Sequence, residues 1–161
     1  MALNFEKYAA KGNEFVNKLG GHLGDVGNRD RAGRVLRCVL RALRNRITME
    51  ESLQLLSQLP MAIKAVYVEG WKPHQKFTRI KTIEDFSEEV MKEDGLSVWR
   101  DFSSVEDTMI AIEAVMKTLA DYVTAGELHD VIGLMPKEIK QHFMVWVHTP
   151  YPNCNLLLKN L

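Results

Sequence analysis

The apolar residues of this chain recur at three- and four-residue steps along most of its length. Such spacing places side chains on one face of an α-helix. One stripe within residues 34–47 consists of Val35, Leu36, Val39, Leu40, Leu43 and Ile47. No run alternates apolar and polar residues for long enough to build a sheet. We therefore predict an all-α fold with about eight helices, near residues 3–19, 29–46, 49–58, 60–70, 83–92, 105–122, 125–134 and 136–148.

Several helix starts carry a capping signal. Thr48 and Glu51, and likewise Thr124 and Glu127, have the spacing of a capping box. In that motif the Thr hydroxyl accepts a hydrogen bond from the third backbone N–H, while the Glu carboxylate accepts one from the Thr N–H. Weaker versions, with an aspartate in third place, begin at Thr82 and Ser104. Loops are predicted at 20–28, 70–73, 94–95 and 150–155, where Gly, Asn and Pro gather.

An internal repeat relates the two halves of the chain. Residues 39–51 align without a gap on residues 115–127, which is an offset of 76. The same offset places Pro60 on Pro136 and Tyr67 on Phe143. Each half alone would expose the apolar faces of its helices. We therefore predict two related four-helix halves, about 1–74 and 82–149, that pack with pseudo-twofold symmetry as a single domain over residues 1–161.

Three short segments resemble a known family. They are the pattern Leu36-x-x-Val39-Leu-x-Ala-Leu-Arg-x-Arg-Ile-Thr, the turn Gln58-Leu-Pro-Met61 and the end Tyr67-Val-Glu69-Gly70-Trp71. Together they resemble the bacterial domain of unknown function 2267 family over about residues 29–145. The resemblance implies a small all-helical repeat protein. It implies no activity, substrate or cofactor.

Composition and charge exclude several broad classes. The chain has 161 residues, 46% apolar and 26% charged, and a net charge of zero. These values are ordinary for a globular domain, and they argue against a disordered chain or a globally basic nucleic-acid binder. No apolar run reaches the roughly 18 residues of a membrane span, and the N-terminus lacks a basic segment followed by an apolar one. We expect a cytoplasmic protein with no membrane partner.

The charge is unevenly spread along the chain. Residues 1–83 carry a net charge of +8 and residues 84–161 a net charge of −8. Four arginines of the second helix, which we call the arginine band, share one face of about 80°: Arg34, Arg37, Arg41 and Arg44. The repeat places Ile110, Glu113, Lys117 and Ala120 at the matching positions. The fold therefore does not require arginine there.

Three interpretations of the arginine band remain open. Its guanidinium groups face water or pair with the acidic residues of 84–94, inside the protein or in a second copy. Alternatively they bind an acidic protein partner. In the third interpretation they follow the phosphates of a nucleic acid or another polyanion, although no recognisable nucleic-acid module is present.

A second group of candidate residues follows at the predicted end of the fourth helix. Tyr67, Glu69 and Trp71 surround Gly70, which is suited to a left-handed helix end. A carboxylate between two aromatic rings could line a small-molecule site between the halves, with a pocket of a few hundred Å³. The structural alternative is that the aromatic rings fill the core and join the halves.

Nothing in the sequence points to catalysis. His142 and His148 lie six residues apart, which does not place both on one helix face toward a metal. Cys38 belongs to an apolar helix, and Cys154 lies in a tail rich in Pro and Asn. The sequence predicts no catalytic residue, no metal and no cofactor. The favoured function is a non-enzymatic module for protein interaction or self-association, followed by polyanion binding and then by a small-molecule site.

Overall fold

The computed structural model describes residues 2–148, and within them the fold is all-α. The helices are α1 (Phe5–Leu23), α2 (Arg29–Arg44), α3 (Met49–Gln58), α4 (Met61–Val68), α5 (Ile83–Asp94), α6 (Val98–Asp101), α7 (Val105–Ala120), α8 (Ala125–Gly133) and α9 (Lys137–His148). A 3-10 turn, Gly95–Ser97, joins α5 to α6. Cys154 and the loop predicted at 150–155 lie outside the described residues.

The eight predicted helices are all present, and the all-α class is confirmed. The short helix α6 was not predicted, because four residues are too few to show a helical period. The loop predicted from Gly20 and Gly21 is wrong at its start, since α1 continues to Leu23. Gly20 is buried there, and the helix ends one residue after Leu23, at Gly24, whose φ of 73° is left-handed.

The capping signals are only partly realised. The Thr48 and Thr124 hydroxyls accept hydrogen bonds from the N–H groups of Glu51 and Glu127 at 3.2 and 3.3 Å. The reciprocal half of the box, however, forms at the start of α5, where the carboxylate of Asp85 accepts from the backbone of Thr82. The carboxylates of Glu51 and Glu127 have a different placement, which is described below.

Helices of each half of the chain pack against helices of the other half. Helix α1 packs against α7, and α5 packs against α2, while α3 of the first half contacts α8 of the second. Helix α1 also contacts α4 so closely that a Cβ atom on Gly12 would lie 2.6 Å from the Cβ of Ala62. The predicted repeat relates α1 to α5 and α2 to α7. The α1–α7 and α5–α2 contacts are therefore equivalent pairs, as two related halves would require. The duplication itself stays a prediction.

One core contains residues from both halves. Its largest fully buried side chains are Trp146, Tyr67, Phe15, Phe86 and Phe143. The ring of Phe15 from α1 lies 4.8 Å from that of Tyr122, which follows α7. Burial of apolar surface, to which these rings add large areas, stabilises the fold by about 25 cal/mol for each Å² removed from water. Among the described residues, no helix has the length and apolar character to cross a membrane.

Candidate functional site

The arginine band lies on α2, and its first member is bound within the protein. Nε and Nη2 of Arg34 donate to the two carboxylate oxygens of Asp101 at 2.6 and 2.8 Å. Arg31, one turn earlier, donates twice to the backbone carbonyl of Asp101, at 3.0 and 2.9 Å. Because the Asp101 side chain is fully buried, these two arginines hold the end of α6 against α2.

The last member of the band is buried at the end of α4. Nη1 of Arg44 donates to the carbonyl oxygens of Tyr67 and Glu69 at 2.6 and 2.9 Å. Carbonyls at a helix C-terminus have no partner within the helix, so a cation there is favourable. Burial, and then the charge of Arg41, lower the pKa of Arg44. Arg44 therefore terminates α4 and fixes the segment that carries Glu69.

The two middle members of the band are held loosely. Nε of Arg37 and Nη2 of Arg41 lie 3.6 and 3.9 Å from the same oxygen of Glu69. The Arg37 side chain is 45% exposed, that of Arg41 is 24% exposed and that of Glu69 is 59% exposed. Ion pairs of this length at a surface contribute little to stability. Arg37 and Arg41 therefore keep most of their capacity to bind an external acidic group.

Further ion pairs join the basic first half to the acidic second half. Arg46, after α2, pairs with Glu89 of α5 and donates to the carbonyl of Thr78 at 2.6 Å. Arg31 lies 3.7 Å from Asp107 at the start of α7. Together with the Arg34–Asp101 contact, these ion pairs join basic residues of the first half to acidic residues of the second half.

Tyr67 belongs to the core rather than to a surface site. Its side chain is fully buried, and its hydroxyl lies 2.6 Å from the Ser52 hydroxyl. Burial raises the pKa of Tyr67 to about 12. The ring of Trp71 packs edge-on against it, with the centroids 5.7 Å apart. Of the two aromatics, Trp71 alone is partly accessible.

A cleft of about 220 Å³ opens beside Trp71. The sequence predicted a pocket lined by the aromatics around Glu69, but neither Tyr67 nor Glu69 lines this one. Its walls are Arg44, Asn45, Ile47, Met49, Trp71, Lys72, Pro73, His74, Gln75 and Phe77. Three of them are basic in type and two are aromatic. His74 has a φ of 71°, a left-handed conformation that is uncommon for a residue with a side chain.

The surroundings of Cys38 disfavour its thiolate. Its thiol is buried and donates to Asp94 Oδ1 at 3.6 Å. Burial, followed by the negative charge of Asp94, raises the pKa of the Cys38 thiol far above its usual range. Both effects act against the thiolate that nucleophilic chemistry needs.

The model of the family described as "Uncharacterized conserved protein (DUF2267)" matches residues 12–142. The chain belongs to this family. The DUF2267 match includes all seven candidate residues of the arginine band and of the α4 end. No curated protein matches the chain.

Sequence reasoning missed several residues of this DUF2267 region. Asp101 is separated from Arg34 by 67 positions, and no local pattern marks it as a partner. Lys72, His74 and Phe77 follow the motif that ends at Trp71, and the cleft brings them together. Their basic and aromatic character was the available signal, although only the tertiary fold gives it a concave shape.

Proposed function

We propose that this chain is a non-enzymatic module that binds a second copy of itself. In this arrangement, Arg37 and Arg41 of one copy contact an acidic helix face of the other. The observation that carries the proposal is that only two of the four arginines in the band are tightly bound within the protein. Arg34 and Arg44 are bound within 3 Å of their internal partners, whereas Arg37 and Arg41 share one exposed carboxylate at 3.6 and 3.9 Å.

A second copy offers a matching acidic face on α5. Glu84 and Glu88 are exposed and lie four residues apart, the same spacing as Arg37 and Arg41. Within residues 2–148, neither glutamate forms an ion pair at 4 Å or less. A twofold dimer would bring each arginine pair to the glutamate pair of the other copy. Such exposed contacts make a weak, salt-sensitive dimer.

Charge reversal tests this proposal. Sedimentation of the wild type should show a dimer at about 50 mM NaCl that dissociates at about 500 mM NaCl. The variants R37E/R41E and E84R/E88R should each be monomeric. Their equimolar mixture should restore a dimer, because every arginine pair then faces a glutamate pair. K7E/K11E reverses two exposed lysines of α1 at the same spacing and should dimerise like the wild type.

Two results would overturn self-association. One is a wild type that stays monomeric at low salt up to the highest soluble concentration. The other is a dimer that survives in R37E/R41E. Helical circular dichroism of each variant establishes that it is folded, and R37Q/R41Q replaces the reversed pair if R37E/R41E does not fold.

Polyanion binding is distinguished by its salt dependence. Titration of a labelled duplex of about 20 base pairs reports on this alternative. If Arg37 and Arg41 alone contact phosphates, the logarithmic salt slope is about −2, whereas the full band of four would give about −4. Duplex binding that R37E/R41E abolishes would reassign this surface to phosphate.

The cleft beside Trp71 supports a second candidate function, the binding of a small organic anion with an aromatic part. Nε of Arg44 is buried and has no acceptor among the described residues. No described carboxylate lies within 4 Å of Arg44. Arg44, Lys72 and His74 supply donors, while Trp71 and Phe77 supply apolar surface. A buried charge without a counter-ion is expensive, and a bound anion relieves that cost.

Fluorobenzoate is a suitable probe for this cleft, with binding read from line broadening of its fluorine NMR signal. We expect the wild type to broaden the signal and W71F/K72Q to cause little or no broadening. K76Q removes a neighbouring exposed lysine that does not line the cleft, and it should behave like the wild type. Equal broadening by W71F/K72Q and the wild type would exclude the cleft as the binding site.

A further inference from the structure

Three carboxylates from the two halves converge at the starts of α3 and α8. They belong to Glu51, Glu127 and Asp130, and one oxygen from each lies within 4.8 Å of the others. Glu51 and Glu127 occupy equivalent positions of the predicted repeat. The convergence is therefore a feature of both halves rather than of one loop.

Neither glutamate completes the capping box that its spacing predicts. In a complete capping box of α8, the Glu127 carboxylate would accept a hydrogen bond from the backbone N–H of Thr124. That N–H instead donates to the side-chain oxygen of Gln58 at 2.7 Å. Gln58 ends α3 and belongs to the first half. The Glu127 side chain consequently gives up a local hydrogen bond and lies near Glu51.

Glu127 is buried without a donor. It is 8% exposed, and its buried Oε1 accepts no hydrogen bond from any residue that the structure describes. Oε2 of Glu51 is likewise buried and accepts no hydrogen bond from a described residue. Two ionised carboxylates cannot donate to each other, so these oxygens need a proton or a bound cation between them. A buried carboxylate oxygen without a partner is uncommon, because its desolvation is not offset.

The charges around Glu127 add to the cost of keeping its carboxylate buried and ionised. Burial, and then the charge and hydrogen bonding of the Glu51 carboxylate, raise the pKa of Glu127. The other charge that contributes is Asp130, which is also a carboxylate. Like charges this close repel one another. The arrangement favours the binding of a positive charge between the three groups.

We propose that Glu51, Glu127 and Asp130 bind a hard divalent cation, Ca²⁺ in the first place, that bridges α3 and α8. Carboxylate oxygens are the ligands such cations prefer. Ca²⁺ binds carboxylate oxygens at about 2.3–2.6 Å, and one oxygen from each of the three carboxylates lies within 4.8 Å of the others. Water would complete the coordination. With three protein ligands and one of them exposed, the expected dissociation constant is on the order of 0.1–1 mM.

Thermal unfolding with added cation tests this site. At about ten times the dissociation constant, CaCl₂ should raise the Tm of the wild type by about 3–6 °C over an EDTA-treated sample. Both samples contain about 500 mM NaCl, so that the proposed self-association does not contribute. MgCl₂ should give a smaller shift, because Mg²⁺ demands a tighter octahedral geometry.

Matched variants locate the effect. E127Q should abolish the shift, and its Tm without cation should be no lower than that of the wild type, because a repulsive charge is removed. E50Q removes an exposed glutamate from the same first turn of α3 that carries Glu51, and it should keep the full shift. A Tm that is the same in CaCl₂ and in EDTA, or a calcium shift that persists in E127Q, would overturn the proposal.

Discussion

Helices α2 and α7 occupy equivalent places in the predicted repeat, yet they use the same positions in opposite ways. Arg37 of α2 is exposed and Arg41 is half-buried, and both are loosely paired with Glu69. Their counterparts on α7, Glu113 and Lys117, are buried and form an ion pair at 2.8 Å. Similar helical patterns thus yield an open basic face in one half and an enclosed ion pair in the other.

A second pair of positions differs in the same sense. Tyr67 and Ser52 share a buried hydroxyl contact at 2.6 Å, whereas the repeat places Phe143 and Leu128 at the matching positions. Both of these residues are buried. One half therefore fills this part of its core with a polar pair and the other with an apolar pair. The comparison suggests substitutions that convert each half toward the other.

The largest expected effect comes from α7. Lys117→Met leaves the Glu113 charge buried without its partner, and we expect a loss of about 3 kcal/mol in the free energy of unfolding. Arg41→Met at the equivalent position should lose less than about 1 kcal/mol, because its ion pair is long and near the surface. Urea unfolding of both variants measures the difference.

A rescue variant separates charge from packing in α7. Adding Glu113→Leu to Lys117→Met removes the stranded charge, so most of the lost stability should return. Equal losses in Lys117→Met and Arg41→Met would contradict the distinction between the two helices.

The Arg34 end of the band should show an intermediate effect. Arg34→Met removes the partner of the fully buried Asp101 carboxylate, and we expect a loss of about 2 kcal/mol at pH 7. Arg37→Met, one turn away, should change stability by less than about 0.5 kcal/mol. Similar losses in the two variants would show that the Asp101 contact does not anchor α6.

Acid conditions sharpen this prediction. Burial by itself would raise the pKa of Asp101, but the hydrogen bonds with Arg34, and then with Asp94, bring it below its ordinary value. The contact therefore stabilises the fold above the pKa of an unfolded aspartate, and this contribution is lost as the pH falls through the lower folded value. The difference between wild type and Arg34→Met should shrink between pH 7 and about pH 3. A difference that grows would have the wrong sign.

A smaller effect is expected at the Tyr67 position. Tyr67→Phe leaves the buried Ser52 hydroxyl without its partner and should lose about 1 kcal/mol in the free energy of unfolding. The double variant S52L/Y67F reproduces the apolar pair of the second half. It should be more stable than S52L alone, because S52L leaves the buried Tyr67 hydroxyl without its partner. Thermal unfolding of the three variants completes this test.

Alkaline pH provides an independent readout of Tyr67. Its pKa is raised to about 12 by burial, above the value of about 10 for an unfolded tyrosine. The neutral hydroxyl therefore stabilises the fold fully below about pH 10, and this contribution is lost as the pH rises toward 12. At pH 11 the wild type should have lost about 1 kcal/mol relative to Tyr67→Phe. Parallel pH profiles would contradict the buried hydroxyl.

Much of the fold followed from local patterns. The three- and four-residue apolar period predicted every long helix, and Gly70, with a φ of 65°, has the left-handed conformation expected after α4. The four-residue helix α6 and the continuation of α1 through Gly20 were not predictable in this way. Both depend on contacts made elsewhere, such as the hold of Arg34 on Asp101.

The candidate residues were predictable as a group but not in their separate roles. Helical spacing placed the four arginines on one face. It could not show that Arg34 and Arg44 are bound internally while Arg37 and Arg41 remain accessible. That division depends on where α6 and the end of α4 lie, and those positions arise from packing between distant segments.

By itself, the sequence determined the eight longer helices, several of their caps and the apolar faces that they bury, because these properties depend on neighbours within about four residues. Only the tertiary structure decided which charges are enclosed and which stay in water. It joined Arg34 to Asp101, assembled a cleft beside Trp71 and brought Glu51 to Glu127. Such contacts connect residues that are far apart in the chain, and their strength depends on burial, which no local pattern specifies.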